Sequence, residues 1–358
     1  MTNALLLVLA FVLLVLGAEY FTNAVEWLGR RLRLSDSATG SLLAAVGTAM
    51  PETLVPIVAI FFSAGEASHA VGVGGILGAP FMLSTLAMLV IAAALWVFRK
   101  RRLTTQLQFN AETAESDLKF FLAAYGLAFA AGFLPSQLDP LRWLIAFGLI
   151  PLYALYMRRL LRTTPSSVAE EEELAPLRLI SQLRWVLPFE QAHDPGLGSI
   201  ILQIGLALGL IIAGAHLFVG EIEVIAAALG VAPLVLSLLI TPVATELPEK
   251  LNSVIWISRR KDTLAFGNMS GALVFQSAFP VTIGILFTDW SLSLRPTDPS
   301  FLAGVSCLLA LASGLSLLYF VHKNDTLRLP HLLASGSLYV VFIAAVVLAP
   351  LYGSSGGH

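Results

Sequence analysis

Residues 17–52 read GAEYFTNAVEWLGRRLRLSDSATGSLLAAVGTAMPE, and residues 214–249 read GAHLFVGEIEVIAAALGVAPLVLSLLITPVATELPE. The two stretches have equal length and align without a gap. Gly17 meets Gly214, Ala18 meets Ala215, Phe21 meets Phe218, Glu26 meets Glu223 and Leu42 meets Leu239. At the ends, Thr48, Pro51 and Glu52 meet Thr245, Pro248 and Glu249. Two unrelated apolar segments would share leucines and alanines by composition, but not Thr-x-x-Pro-Glu at the same place. The pair is therefore an internal repeat.

The chain around these repeats is built for lipid. Of its 358 residues 57% are hydrophobic and 12% charged, and the mean hydropathy is +0.83; soluble domains carry about 25% charge. A helix needs about 20 residues to cross about 30 Å of hydrocarbon. By that measure the sequence predicts ten spans, at 4–28, 37–62, 70–98, 117–136, 141–160, 197–229, 232–258, 264–288, 300–320 and 330–351. The first span lacks a basic leader and runs on into the glutamate-bearing AEYFTNAVEWLGRR, so it reads as a retained helix, not a signal peptide.

Basic residues orient the spans, because short cytoplasmic loops collect Lys and Arg. With both termini outside, all of the 21 Lys and Arg except Arg142, Arg295 and Lys250 fall in cytoplasmic loops. An odd number of spans loses this bias. The lone Cys307 excludes an internal disulfide and has no metal-site spacing.

A polar break at 161–196, with TTPSS, the acidic run Glu170–Glu173 and HDPG, separates residues 1–160 from 197–358. It reads as a cytoplasmic linker. Its LAPLRLISQLRWVLPF segment is open to two readings, plain linker or an amphipathic helix with Leu and Trp inward and Arg outward. Each flank holds five spans and one repeat motif, at 40–83 and 237–276. Five is odd, so the second copy enters the membrane inverted, as in secondary transporters whose sites lie where the halves meet. The expected fold is an all-α membrane protein of two inverted five-helix repeats.

Glu52 and Glu249 each fall near the middle of a predicted span, where a carboxylate is expensive unless it meets a cavity, a proton or a cation. Thr48 and Thr245 lie four residues earlier, on the same helical face. Pro51 and Pro248 cannot donate to the carbonyls of Gly47 and Ala244, which leaves backbone oxygens beside each carboxylate. Such backbone is tolerated at membrane depth where it lines a cavity. Together the halves offer carboxylate, hydroxyl and carbonyl oxygens, a cage suited to a hard cation and above all to Ca2+.

At these residues the chain resembles the calcium/cation antiporter superfamily, which includes the sodium/calcium exchangers. That family's signature pairs Gly-Thr-Ser-Leu-Pro-Glu on one helix with Gly-Asn-x-x-Gly-Ser-Asn on the next. Here the first part reads Gly47-Thr48-Ala49-Met50-Pro51-Glu52 and Ala244-Thr245-Glu246-Leu247-Pro248-Glu249. The second reads Gly74-Gly75-Ile76-Leu77-Gly78-Ala79-Pro80 and Gly267-Asn268-Met269-Ser270-Gly271-Ala272-Leu273. The resemblance implies a ten-helix fold, Ca2+ held by Glu52, Glu249, Thr48 and Thr245, and support from Asn268. The departures fall where the family builds its sodium sites: Ala49, Glu246, Ala79 and Ala272 replace serines, and Leu83 and Gln276 replace later polar positions.

Glu246 and Lys250 are charges the family pattern lacks, spaced i, i+4 on one helix. They read as a neutral fixed pair whose ammonium fills a coupling cation's space, as a proton carrier at Glu246 favoured by burial and by Glu249, or as a lysine that snorkels. Glu19 and His216, and Glu26 and Glu223, are repeat-equivalent polar residues that either line an access path or meet water near helix ends.

The sequence thus predicts an antiporter exchanging Ca2+ or another divalent cation for H+ or Na+, in an inner-type cell membrane, with inorganic cations and lipid as its only implied partners and no cofactor. The alternatives are a sodium/proton or other monovalent cation exchanger, and a non-transporting or enzymatic membrane protein. Against an enzyme, the spans hold almost no aspartate for an aspartyl dyad, His216 faces no Gly-x-Ser elbow, and His-Glu-x-x-His is absent.

Overall fold

The computed structural model describes residues 2–31, 52–63, 65–163, 175–182 and 194–353. Nearly all of these are helical. In chain order the helices are α1 (Thr2–Arg31), α2 (Glu52–Phe62, widened to a π-helix over Val58–Phe62), α3 (Glu66–Ser84), α4 (Leu86–Val97) and α5 (Arg99–Arg102). There follow α6 (Ala111–Ala131), α7 (Asp139–Thr163), α8 (Arg178–Gln182), α9 (Leu197–Leu229) and α10 (Pro233–Thr245). The last are α11 (Leu247–Ser258), α12 (Asp262–Phe287), α13 (Phe301–Asn324) and α14 (Leu329–Gly353). Two short strands, β1 (Gln106–Leu107) and β2 (Leu327–Arg328), clip two loops together in antiparallel register.

Among the described residues, seven stretches are long and apolar enough to cross a membrane: Asn3–Arg31, Glu66–Val97, Asp139–Leu160, Leu197–Leu229, Asp262–Phe287, Phe301–Asn324 and Leu329–Val347. The other three expected spans fall on shorter or more charged helices. α2 is the described part of 37–62, and α6 carries Glu112, Glu115, Asp117 and Lys119 in its first turns. The 232–258 span is broken into α10 and α11 at Glu246, which sits at φ −91°, ψ 4°. Pro248 cannot donate within the helix, so the chain bends where that bond is missing.

Local chemistry sets other boundaries. Gly230 ends α9 in the left-handed region at φ +65°, and Pro233 then opens α10. The Asn110 side chain caps α6 by accepting from the Thr113 amide at 3.0 Å.

Small residues set the packing, as expected where lipid removes the hydrophobic drive between helices. α1 lies antiparallel to α9. A Cβ on Gly17 would come 2.6 Å from Ile211, and one on Gly214 would come 3.0 Å from Leu13. These glycines are equivalent in the sequence repeat. α3 lies parallel to α10, and a Cβ on Gly74 or Gly78 would stand 2.3 or 2.4 Å from the carbonyl oxygen of Leu234 or Leu238. One apolar core unites α3, α4, α6, α7, α12, α13 and α14, and a second joins α1 and α9 to α2. Large apolar side chains such as Leu144, Phe147 and Val340 cover the exterior.

Part of the 161–196 linker is ordered against the bundle. α7 runs on to Thr163, and α8 buries Ile180, with Leu177 just before it, against Ala24, Trp27 and Ile200. Ala175 accepts from Asn23 and Trp27, while Gln203 accepts from the Leu179 amide and donates to the Tyr20 carbonyl and to Asn23. Over residues 175–182 the apolar side chains Leu177 and Ile180 face the protein; Trp185 and the rest of LAPLRLISQLRWVLPF lie outside the described residues.

Candidate cation site

The register of α3 against its neighbours shows where the candidate residues fall relative to one another. Gly72 faces Ile60 and Ala59, Gly75 lies between Pro56 of α2 and Thr241 of α10, and Gly78 abuts Leu238 and Pro242. Numbers rise together along α3 and α10 and run oppositely along α3 and α2. One helical turn past the Gly75 contact therefore come Glu52, Ala79 and Thr245, at one level. All three are buried, with Glu52 4% exposed and Thr245 2%. By this register the Glu52 carboxylate and the Thr245 hydroxyl fall in the same layer, one turn from the Gly75 contact. Gly47, Thr48, Ala49 and Pro51 lie outside the described residues. Ala244 lies in the last turn of α10 and Glu249 in the first turn of α11.

Thr245 continues a hydroxyl stripe along α10. Its Oγ1 donates to the Thr241 carbonyl at 3.0 Å, Thr241 and Ser237 share a hydrogen bond of 2.8 Å, and Ser237 donates to the Val71 carbonyl of α3 at 2.6 Å. Ser237 and Thr241 were not among the sequence candidates. Their i, i+4, i+8 spacing with Thr245 is the signal that marks them.

Glu246 and Lys250 form the pair their spacing allows. Lys250 Nζ stands 2.7 Å from Glu246 Oε2 and 3.5 Å from the Pro242 carbonyl, and both residues are buried. The lysine folds back along its own helix to the break at Glu246 and does not reach outward to solvent; the pair with Glu246 is common to all three readings. Glu246 Oε1 has no hydrogen-bond partner among the described residues.

On α12 the candidates separate. Gln276 is buried, and its Oε1 has no partner among the described residues. Asn268 is half-buried. Ser270, inside the same motif, turns to α6, where its hydroxyl donates to Asp117 Oδ2 at 2.6 Å. Asp117 is a buried carboxylate that the sequence reading passed over. A second such carboxylate, Asp262 at the start of α12, takes both guanidinium nitrogens of Arg102 at 2.6 Å and the Gln108 amide at 2.9 Å. Neither belongs to the layer of Glu52 and Thr245.

Two of the repeat-equivalent polar residues, Glu19 and Glu223, are engaged by neighbouring elements. Glu19 pairs with Arg178 at 3.0 Å, and Glu223 accepts from Ser68 at 2.5 Å. His216 is exposed on the outer side of α9, and Glu26 is half-buried.

A model of the family described as sodium/calcium exchanger protein matches residues 2–161 and 199–349. This chain belongs to that family. It is an integral, multi-pass membrane protein and a cation antiporter, within the calcium/cation antiporter superfamily, and the enzymatic reading is set aside. Among curated relatives it is 22% identical over 279 residues to the uncharacterized membrane protein MJ0091 of Methanocaldococcus jannaschii, covering 78% of this chain and 80% of the relative. Its fold matches a crystal structure of the H+/Ca2+ exchanger CAX at a TM-score of 0.71 and 15% identity, covering 99% of this chain and 87% of that one. It matches the sodium-calcium exchanger NCX_Mj, soaked with Na+ and Sr2+, at a TM-score of 0.58 and 18% identity, covering 96% and 98%.

Proposed function

We propose that this antiporter exchanges Ca2+, or another divalent cation of similar hardness, for protons by alternating access. The observation that carries the reading is the common level of Glu52 and Thr245 on helices from opposite flanks of the linker. In this reading residues 1–160 and 197–358 are two inverted five-helix halves of a ten-helix fold, both termini lie outside, and the 161–196 linker is cytoplasmic. Glu52 and Glu249 supply the charge, Thr48 and Thr245 the hydroxyls, and the carbonyls of Gly47 and Ala244 further oxygens, while Asn268 and Gln276 support the second half. The membrane is an inner-type cell membrane, and no cofactor is required.

Protons are preferred to sodium because of what surrounds the carboxylates. Sodium needs five or six oxygens in fixed positions, and Ala49, Ala79, Ala272, Leu83 and Leu273 offer none from their side chains. A proton needs only a carboxylate, and burial beside a like charge favours its uptake. The fold likeness to the H+/Ca2+ exchanger CAX supports the same reading.

Reconstitution in vesicles tests it. With an imposed pH gradient the protein should accumulate 45Ca2+ without sodium, and Ca2+ addition should move protons reported by a dye inside. A saturable Na+ dependence with no Ca2+-driven proton movement would return the protein to sodium coupling.

A further inference from the structure

The two spans that carry the repeated Thr-x-x-Pro-Glu, 37–62 and 232–258, contain four charged residues: Glu52, Glu246, Glu249 and Lys250. Three carboxylates and one ammonium leave two negative charges. That is the charge of one divalent cation, or of the two protons that would replace it. The ammonium is not free to leave. It is held 2.7 Å from Glu246 Oε2, and Pro242, whose carbonyl is 3.5 Å away, packs beside Gly78 on α3. Lys250 therefore lies where α10 bends into α11, in the second-half motif that carries Glu249, next to the helix whose family serine is here Ala79.

We propose that Lys250 is a built-in cation of the transport site, whose fixed charge cancels Glu246 and makes exchange of one divalent cation for two protons electroneutral. This rests on the divalent cation and proton reading above. A purely structural ion pair would hold the α10–α11 bend equally well but would leave the charge moved per cycle unchanged, which makes electrogenicity the discriminating measurement. Removing the ammonium while keeping Glu246 leaves three negative charges, so the cycle takes up a third proton per divalent cation and carries one net charge.

The test is the equilibrium distribution of 45Ca2+ in vesicles holding a fixed pH gradient, with the membrane potential clamped by K+ and valinomycin. The wild-type ratio should not change with potential. In Lys250→Met it should shift about tenfold for a step of about 59 mV, the value for one elementary charge. The double variant E246Q/K250M should return to potential independence. A Lys250→Met protein whose ratio ignores potential, or a wild type whose ratio follows it, overturns the proposal. If Lys250→Met does not fold, the double variant decides: a folded double variant that follows potential, or takes up no 45Ca2+, also overturns it. A wild type that takes up no 45Ca2+ under any gradient instead removes the divalent-cation reading, before any variant is made.

Discussion

Glu52 is the one charged residue of the span 37–62, and in the proposed site its carboxylate meets the transported cation or the proton that replaces it. Glu52→Gln keeps the shape and removes the charge, as does Glu249→Gln. Each should reduce 45Ca2+ exchange to the background of empty vesicles, while size-exclusion chromatography in detergent shows a folded protein. Near wild-type exchange by either variant would dissolve the two-glutamate cage. Asp262 answers to a different physics. It is 2% exposed and bound to both Arg102 nitrogens, and breaking a buried pair from one side costs about 3–5 kcal/mol because a charge is left unpaired. Asp262→Asn should therefore lower the unfolding temperature in detergent markedly, and R102M/D262L should recover most of the loss. Equal destabilisation by the single and double variants would show that packing, not charge, holds this joint.

At the scale of elements, a tight joint lies between α3 and α10, where Gly78 leaves only 2.4 Å between an added Cβ and the Leu238 carbonyl. Backbone cannot yield as a flexible side chain can, so Gly78→Ala must push the two helices apart. Because the same contact row continues to the level of Glu52 and Thr245, a shift of about 1 Å here separates the oxygens of the two flanks. Exchange by Gly78→Ala should fall by about 100-fold, the size expected when a reacting geometry is misplaced by that distance. Gly126, with nothing within 4 Å of its added Cβ among the described residues, is the matched control, and Gly126→Ala should exchange like wild type. Equal activity in Gly78→Ala and Gly126→Ala would show that the joint does not position the site.

For the whole molecule, the proposed inversion makes a claim about sides. In a Cys307→Ser background, single cysteines in the 63–69 and 289–299 loops should react with a membrane-impermeant maleimide from outside. Those at 103–110 or 165–175 should react only after the membrane is opened. The reverse pattern would overturn the assignment of sides. The helical, membrane-embedded class followed from composition and span length alone, because lipid admits few ways to satisfy a backbone. The repeated Thr-x-x-Pro-Glu marked Glu52 and Thr245 because an apolar background makes each polar residue conspicuous. The spacing of Glu246 and Lys250 likewise announced a pair within one helix, since i, i+4 neighbours meet wherever a helix forms. The sequence could not say that Gly75 would sit between Pro56 and Thr241, that Ser270 would turn away to Asp117, or that residues 175–182 would be clamped by Asn23, Trp27 and Gln203. Those contacts join residues far apart in the chain. They depend on which helices approach, in which direction and at which register, and local periodicity carries no information about any of the three.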